Sequence, residues 1–145
     1  MTPSTHEWTL LGAKAIGPLM AVFAFVLAAR GDLGIAGGVI GGLVLALVGV
    51  LHMLIAGVAM ARQAMPVKAL LGVLWLGVSL MGVGWVVPVA GPLVAPQLGA
   101  WGLFAAFGFG PGLCTAGALL ATAGAGQLGF LAFVARAPEL SDEAW

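Results

Sequence analysis

Few side chains in this sequence could do chemistry, and His52 and Lys14 are the two best candidates. His52 lies in the long apolar stretch between Asp32 and Arg62. A histidine there can hydrogen-bond across helices as a neutral ring, relay protons or ligate haem iron. Lys14 lies four residues after Leu10, near the start of the first apolar stretch. Its long side chain can snorkel to a membrane surface or line a hydrated ion path. The residues alone leave these alternatives open.

The groups that an enzyme or a pump would need are missing from the apolar stretches. No Asp or Glu lies between residues 33 and 135, whereas a proton or sodium carrier normally binds its ion with an intramembrane carboxylate. The sequence has no phosphate-binding loop, nucleophile elbow or cluster of metal ligands. A single cysteine, Cys114, excludes an internal disulfide. We therefore expect no enzymatic activity, no cofactor and no metal. Nucleic acid is not an expected partner either, because the basic residues are few and scattered.

The composition indicates a membrane protein. The chain has 145 residues, is 62% hydrophobic, and carries five basic and five acidic side chains that cancel. A soluble domain spends about a quarter of its residues on charge. No Asp, Glu, Lys or Arg lies between Asp32 and Arg62 or between Lys68 and Arg136. A membrane span needs about 20 apolar residues. The uncharged stretch after Asp32 is therefore long enough for one span, and the stretch after Lys68 for two. Residues 10–29 add a fourth span.

We predict an all-α, polytopic membrane protein, a single domain with four transmembrane helices. Each span must be helical, because unpaired backbone groups cost several kcal/mol in hydrocarbon. We expect the first span to be a retained helix and not a cleaved signal peptide. The segment 91–111 contains three prolines and five glycines, which predicts a loop or a short interfacial helix. The four helices are expected at about 9–29, 34–60, 67–88 and 112–135.

The distribution of basic residues predicts the orientation. Arg30, offset by Asp32, is the only basic residue expected on one side of the membrane. Because cytoplasmic connections carry an excess of Lys and Arg, both termini are expected in the cytoplasm. The basic residues expected on the cytoplasmic side are Lys14, Arg62, Lys68 and Arg136.

The second span begins with a glycine-rich stretch, RGDLGIAGGVIGGL, over residues 30–43. On a helical wheel, one stripe of small residues falls within about 40° of a single direction, and the pair Gly37 and Gly41 lies beside it. Small residues at this spacing let another helix approach closely. The stretch is therefore predicted to be a helix-contact face, with His52 on the same face and pointing into protein. The stripe comprises Gly34, Gly38, Gly42, Gly49 and Ala56.

The fourth span also has a stripe of small residues, at four-residue intervals, that would let another helix approach closely. Two such faces give more close-packing surface than four helices need for themselves, so we expect part of it to dock neighbouring subunits. The residues of this second stripe are Gly117, Ala121, Ala125 and Gly129.

This layout resembles the B subunit of Mrp-type multisubunit sodium/proton antiporters. In that family a Gly-His pair, followed by Pro-Gly-Gly-Gly-Phe-x-Gly-Gly, opens the second of four helices, and a basic residue lies in the first helix. Lys14 falls on the basic position. The glycines that match are Gly31, Gly37, Gly38, Gly41 and Gly42. The departures are Asp32 for the histidine, Ile35 for the proline, Ala36 for a glycine and Val39 for the aromatic residue.

The resemblance implies an accessory subunit in the plasma membrane of a bacterium or archaeon. Its complex exchanges sodium for protons, and the subunit packs against a large, complex-I-like subunit and helps to form or seal the ion path. The expected partners are that subunit, other hydrophobic subunits and the lipid bilayer. The ion-path candidates are Lys14 and His52, and the packing motif is Gly31, Gly34, Gly37, Gly38, Gly41 and Gly42.

Other readings of the same sequence stay open. One is a related small subunit of a respiratory or hydrogenase complex. Another is a membrane anchor in which His52 serves haem or a quinone. A third is a scaffolding membrane protein with no part in transport.

Overall fold

The computed structural model describes residues 5–30, 32–57, 63, 66–98 and 109–136. These ranges are helical apart from their short connections, so the all-α prediction is confirmed for the described part of the chain. Three of the helices are long and apolar enough to cross a membrane, over Ile35–Ala56, Val67–Ala90 and Gly110–Ala135. The helices are α1 (Thr5–Ala29), α2 (Ile35–Ala56), α3 (Val67–Leu98) and α4 (Gly110–Arg136).

The first helix, α1, runs over Thr5–Ala29 and includes the apolar stretch Lys14–Ala29. The structure supports three spans, over α2, α3 and α4. A fourth span over α1 and the cytoplasmic termini stay predictions.

The third helix is longer than predicted. It was expected to end at about residue 88 and to be followed by a loop or a short interfacial helix over 91–111, but it continues through Pro92 and Pro96 to Leu98. Pro88, Pro92 and Pro96 are four residues apart, so the backbone groups that they leave unpaired fall on one side of the helix. Residues 99–108 lie outside the described residues. At about 48 Å, α3 exceeds the thickness of the hydrocarbon core.

The helices pack side by side in the order α1, α2, α4, α3. Within the described ranges, α2 and α4 occupy the middle of the row, and α3 packs mainly on α4. A turn with a hydrogen bond from Leu33 N–H to Arg30 O joins α1 to α2. These two helices run antiparallel, since Gly41 packs against Ala24 near the middle and Gly17 meets His52 near the other end.

The contact between α2 and α4 is parallel and very close. Gly38 packs against the carbonyl oxygen of Thr115, and Gly42 packs one turn further along against that of Leu119. A Cβ on Gly42 would lie 2.6 Å from the Leu119 oxygen, closer than any Cβ can approach backbone. The absence of side chains at these two positions therefore sets the distance between α2 and α4.

The contact between α3 and α4 is antiparallel and uses small residues from both helices. Gly77 packs against Gly117, and Gly84 packs against Cys114. A Cβ added to Gly84 would lie 2.6 Å from Sγ of Cys114. Cys114 is buried, and its thiol donates a weak hydrogen bond of 3.7 Å to the Met81 carbonyl oxygen. The cysteine thus serves as a small packing residue between α3 and α4.

Large apolar side chains cover the outside of the row. Exposed fractions reach 71% for Leu19 in α1, and 68% for Trp75 and 78% for Leu93 in α3. The buried core is small by comparison, with Met53 and Leu131 among its members. A water-soluble protein rarely exposes so much contiguous apolar surface, whereas lipid or neighbouring subunits would cover it.

Candidate functional site

Four glycines of the predicted packing motif lie at helix contacts. Gly37, Gly38, Gly41 and Gly42 are all buried, and they form two pairs with four-residue spacing. Gly37 and Gly41 pack against backbone oxygens of α1, whereas Gly38 and Gly42 pack against those of α4. The glycine-rich stretch thus forms two adjacent faces of α2, of which one contacts α1 and the other contacts α4.

Gly34 does not belong to either face, contrary to the prediction. It is the residue before α2, with φ +52° and ψ −135°, and nothing lies within 4 Å of a Cβ built on it. A left-handed φ disfavours residues with a side chain, so Gly34 serves the turn into α2. Gly31, the first glycine of the motif, lies outside the described residues.

The small-residue stripe predicted on α4 is only partly a contact surface. Gly117 and Ala121 pack against Gly77 of α3. Ala125 is exposed, and nothing lies within 4 Å of a Cβ built on Gly129. The four-residue repeat drifts around the helix because an α-helix has 3.6 residues per turn.

His52 lies at the outer edge of the α1–α2 contact, and not in the glycine face as predicted. Its side chain is exposed, and its ring rests on Gly17, where an added Cβ would lie 2.8 Å from Cε1. Nδ1 is 3.0 Å from the Val48 carbonyl oxygen. A carbonyl oxygen can only accept, so Nδ1 carries the proton and Nε2 of the neutral ring keeps its lone pair. Nε2 is thus the atom that could accept a proton or ligate a metal.

Lys14 lies on the same edge of the row. Its side chain is exposed, and it precedes Gly17 by three residues, which places the two on one face of α1. Since Gly17 supports the His52 ring, Lys14 and His52 lie within about one helical turn of each other along the edge. No salt bridge joins Lys14 to the side chains that the structure describes. We name Lys14, Gly17 and His52 the α1–α2 edge.

The comparisons with known proteins add no relative. No protein-family model, curated protein or solved structure matches the chain.

Two threonines of α4 hydrogen-bond within their own helix. The Thr115 and Thr122 hydroxyls donate to the carbonyl oxygens of Pro111 and Ala118 at 2.9 and 2.6 Å. They do not bridge helices, although threonines in membrane helices commonly do so.

Gln127 is 93% buried where α4 contacts α2, and its Oε1 has no hydrogen-bond partner among the described residues. The sequence did not predict that this amide oxygen would lack a partner.

Arg30 and Asp32 form an ion pair where α1 passes into α2. Arg30 Nε donates to Asp32 Oδ1 at 3.1 Å, and Nη2 donates to Oδ2 at 2.7 Å. Both side chains are more than half exposed, so the pair is solvated. Within the described ranges, no three His, Cys, Asp or Glu residues gather where they could hold a metal ion.

Proposed function

We propose that this chain is an integral membrane protein and an accessory subunit of a multisubunit monovalent cation/proton antiporter. The observation that carries the proposal is the α1–α2 edge, where His52 and Lys14 lie exposed beside large apolar side chains. An ionisable group in a membrane is costly unless it meets a partner or water. A neighbouring subunit seated on this edge would supply both.

The order of the helices supports a role shared with another chain. A single row of helices has two open sides, so an ion path along the α1–α2 edge requires a second wall. This chain has no Asp or Glu between residues 33 and 135, so the carboxylates that bind the cation come from that neighbour. The contribution of this chain is then Nε2 of His52 as a proton acceptor, with the Lys14 side chain about one turn away along the same edge.

The resemblance in the glycine-rich stretch points to the same class of complex. The glycines that match the B-subunit motif include Gly37, Gly38, Gly41 and Gly42, which together hold α1 and α4 on α2. This use leaves the outer apolar surfaces of α1 and α3 for other hydrophobic subunits and for lipid.

Transport by membrane vesicles tests the proposal. Vesicles that carry the assembled complex with His52→Ala or Lys14→Ala are expected to lose most sodium-dependent proton movement, measured with a pH-sensitive dye. Blue native electrophoresis establishes that each variant complex is assembled. Lys68→Ala is the matched control, because Lys68 is exposed at the start of α3 and away from the edge, and this variant is expected to transport normally. Full antiport by both edge variants, or by vesicles without this chain, would overturn the proposal.

The open Nε2 of His52 also favours one second candidate, a membrane anchor that binds haem. An optical spectrum of the purified chain separates the two functions. A Soret band that disappears in His52→Ala supports the anchor, and its absence in the wild type leaves the antiporter subunit.

A further inference from the structure

A cavity of about 530 Å³ lies between α1 and α4. It is at the level where α1 ends and where α2 and α4 begin. Its volume falls in the range of about 300 to 1,000 Å³ that is typical of small-molecule sites. The walls are apolar, with Phe25 from α1 and Leu119 and Leu120 from α4. The row arrangement creates the cavity, because α1 and α4 both pack on α2 and barely meet each other in the described ranges.

The mouth of the cavity lies where the apolar stretches end. Arg30 directly follows the apolar part of α1, Gly34 directly precedes that of α2, and Pro111 and Gly112 are in the first turn of α4. All four line the cavity. In a bilayer this level is the boundary between hydrocarbon and headgroups, so the cavity body faces acyl chains and its mouth faces headgroups.

The mouth has the electrostatic character of a phosphate site. Two helix N-termini lie there, because α2 and α4 are parallel, and each carries a partial positive charge. Neither helix has an acidic residue in its first turn, and Gly34 provides no side-chain cap. The Arg30 guanidinium adds N–H donors that its bond to Asp32 does not use.

A negative group is paired with Arg30 at the mouth, although Asp32 does not itself line the cavity. The Asp32 carboxylate is 2.7 Å from Nη2 of Arg30 and is 59% exposed. A purely anionic headgroup would meet this carboxylate unfavourably, whereas a headgroup with a phosphate and a primary ammonium can place one charge on each partner. A choline headgroup has no N–H to donate and fits less well.

We propose that this cavity binds a phosphatidylethanolamine molecule. One acyl chain lies between α1 and α4, the phosphate lies between Arg30 and the two helix N-termini, and the ammonium donates to Asp32. The inference rests on the membrane location proposed above but not on cation transport, so antiport and lipid binding can fail independently.

Native mass spectrometry of the full chain tests the site. The purified protein is mixed with equal amounts of phosphatidylethanolamine, phosphatidylglycerol and phosphatidylcholine with identical acyl chains. The wild type is expected to retain phosphatidylethanolamine about fivefold over either competitor, the ratio that one charged contact at a membrane surface provides. Equal retention of the three lipids would overturn the proposal.

Charge variants test which headgroup atoms are recognised. Arg30→Gln is expected to weaken retention of all lipids. Asp32→Asn is expected to reverse the preference toward phosphatidylglycerol, because it removes the ammonium partner and frees Arg30. Lys68→Gln is the control, since Lys68 is an exposed basic residue at the start of α3. Because α3 and α4 are antiparallel, the start of α3 lies far from the cavity mouth. An unchanged preference in Asp32→Asn would overturn the assignment of the headgroup.

A pair of bulky substitutions tests the acyl-chain site. Ala116 and Ala132 are both exposed alanines on α4, but only Ala116 lines the cavity. Ala116→Trp is expected to lose the bound lipid, while Ala132→Trp retains it. Equal retention by the two variants would show that the lipid binds elsewhere.

Discussion

Gly49 of α2 lies directly against the side-chain amide of Gln127 in α4. A Cβ on Gly49 would stand 2.6 Å from Cδ of Gln127, and Gln127 is only 7% exposed. The glycine thus makes room for a polar side chain in an otherwise apolar contact. The amide cannot complete its hydrogen bonds there, since Oε1 has no partner among the described residues.

Gly49→Ala is expected to be less stable than Gly129→Ala by about 1 to 3 kcal/mol, the usual cost of overpacking, because both variants gain the same helix propensity. The added methyl group would force the Gln127 amide out of its position between the helices. Gly129→Ala is the matched control, because nothing lies within 4 Å of a Cβ there, and alanine favours helix by about 0.8 to 1 kcal/mol over glycine. Unfolding in mixed detergent micelles should separate the two variants, and equal midpoints would contradict the packing.

Gln127→Met is expected to stabilise the isolated protein by about 1 kcal/mol. Methionine has a similar length and no polar atom to leave unpaired, and an orphaned buried acceptor costs about 1 to 3 kcal/mol. The same micelle assay measures the change, with Ala125→Met as a control at an exposed position of α4. A loss of stability in Gln127→Met would mean that the amide has a bonding partner in the folded protein.

Gly42→Ala is expected to push α2 and α4 apart and to cost about 1 to 3 kcal/mol or more. The atom in its way is the Leu119 carbonyl oxygen, which cannot rotate aside as a side chain can. Spin labels on the two helices would report an increased separation. Ile40→Ala, at an exposed position of the same helix, should leave the separation unchanged, and an unchanged separation in Gly42→Ala would contradict the close contact.

When the His52 ring is neutral, its proton is expected on Nδ1. The Val48 carbonyl oxygen, 3.0 Å from Nδ1, accepts a hydrogen bond from that N–H. Nitrogen NMR of protein labelled at histidine would show a protonated Nδ1 and an unprotonated Nε2. Gly17→Leu should perturb these signals, because its side chain would enter the space of the ring. The opposite tautomer in the wild type would remove Nε2 as the proton acceptor.

The sequence predicted the helices and the close contacts well for physical reasons. Long runs without charge leave few alternatives to helix in lipid, and glycines four residues apart can meet backbone. Gly38 and Gly42 therefore fall at a contact, as their spacing indicates.

The order in which the helices pack could not be predicted from the sequence, and this order determines where the polar residues lie. A helical wheel gives the angle between His52 and the glycines but not which helix occupies each direction. Because α1 covers one glycine pair and α4 the other, His52 falls at the α1 side and reaches the outer edge. The length of α3 was also missed, because prolines at 92 and 96 usually mark a helix end, although here they leave the helix continuous.

The helix order also divides the chain into two hairpins, α1 with α2 and α3 with α4, that meet along the single parallel contact of α2 with α4. Each hairpin is built from consecutive helices, so the first can form before the second has been synthesised. Two polypeptides separated between residues 57 and 66 are therefore expected to associate when co-expressed, and affinity purification of one half would recover the other. Gly42→Ala should abolish that recovery while Ile40→Ala preserves it. The protein thus consists of two different helical hairpins that are joined in one polypeptide and pack together through α2 and α4.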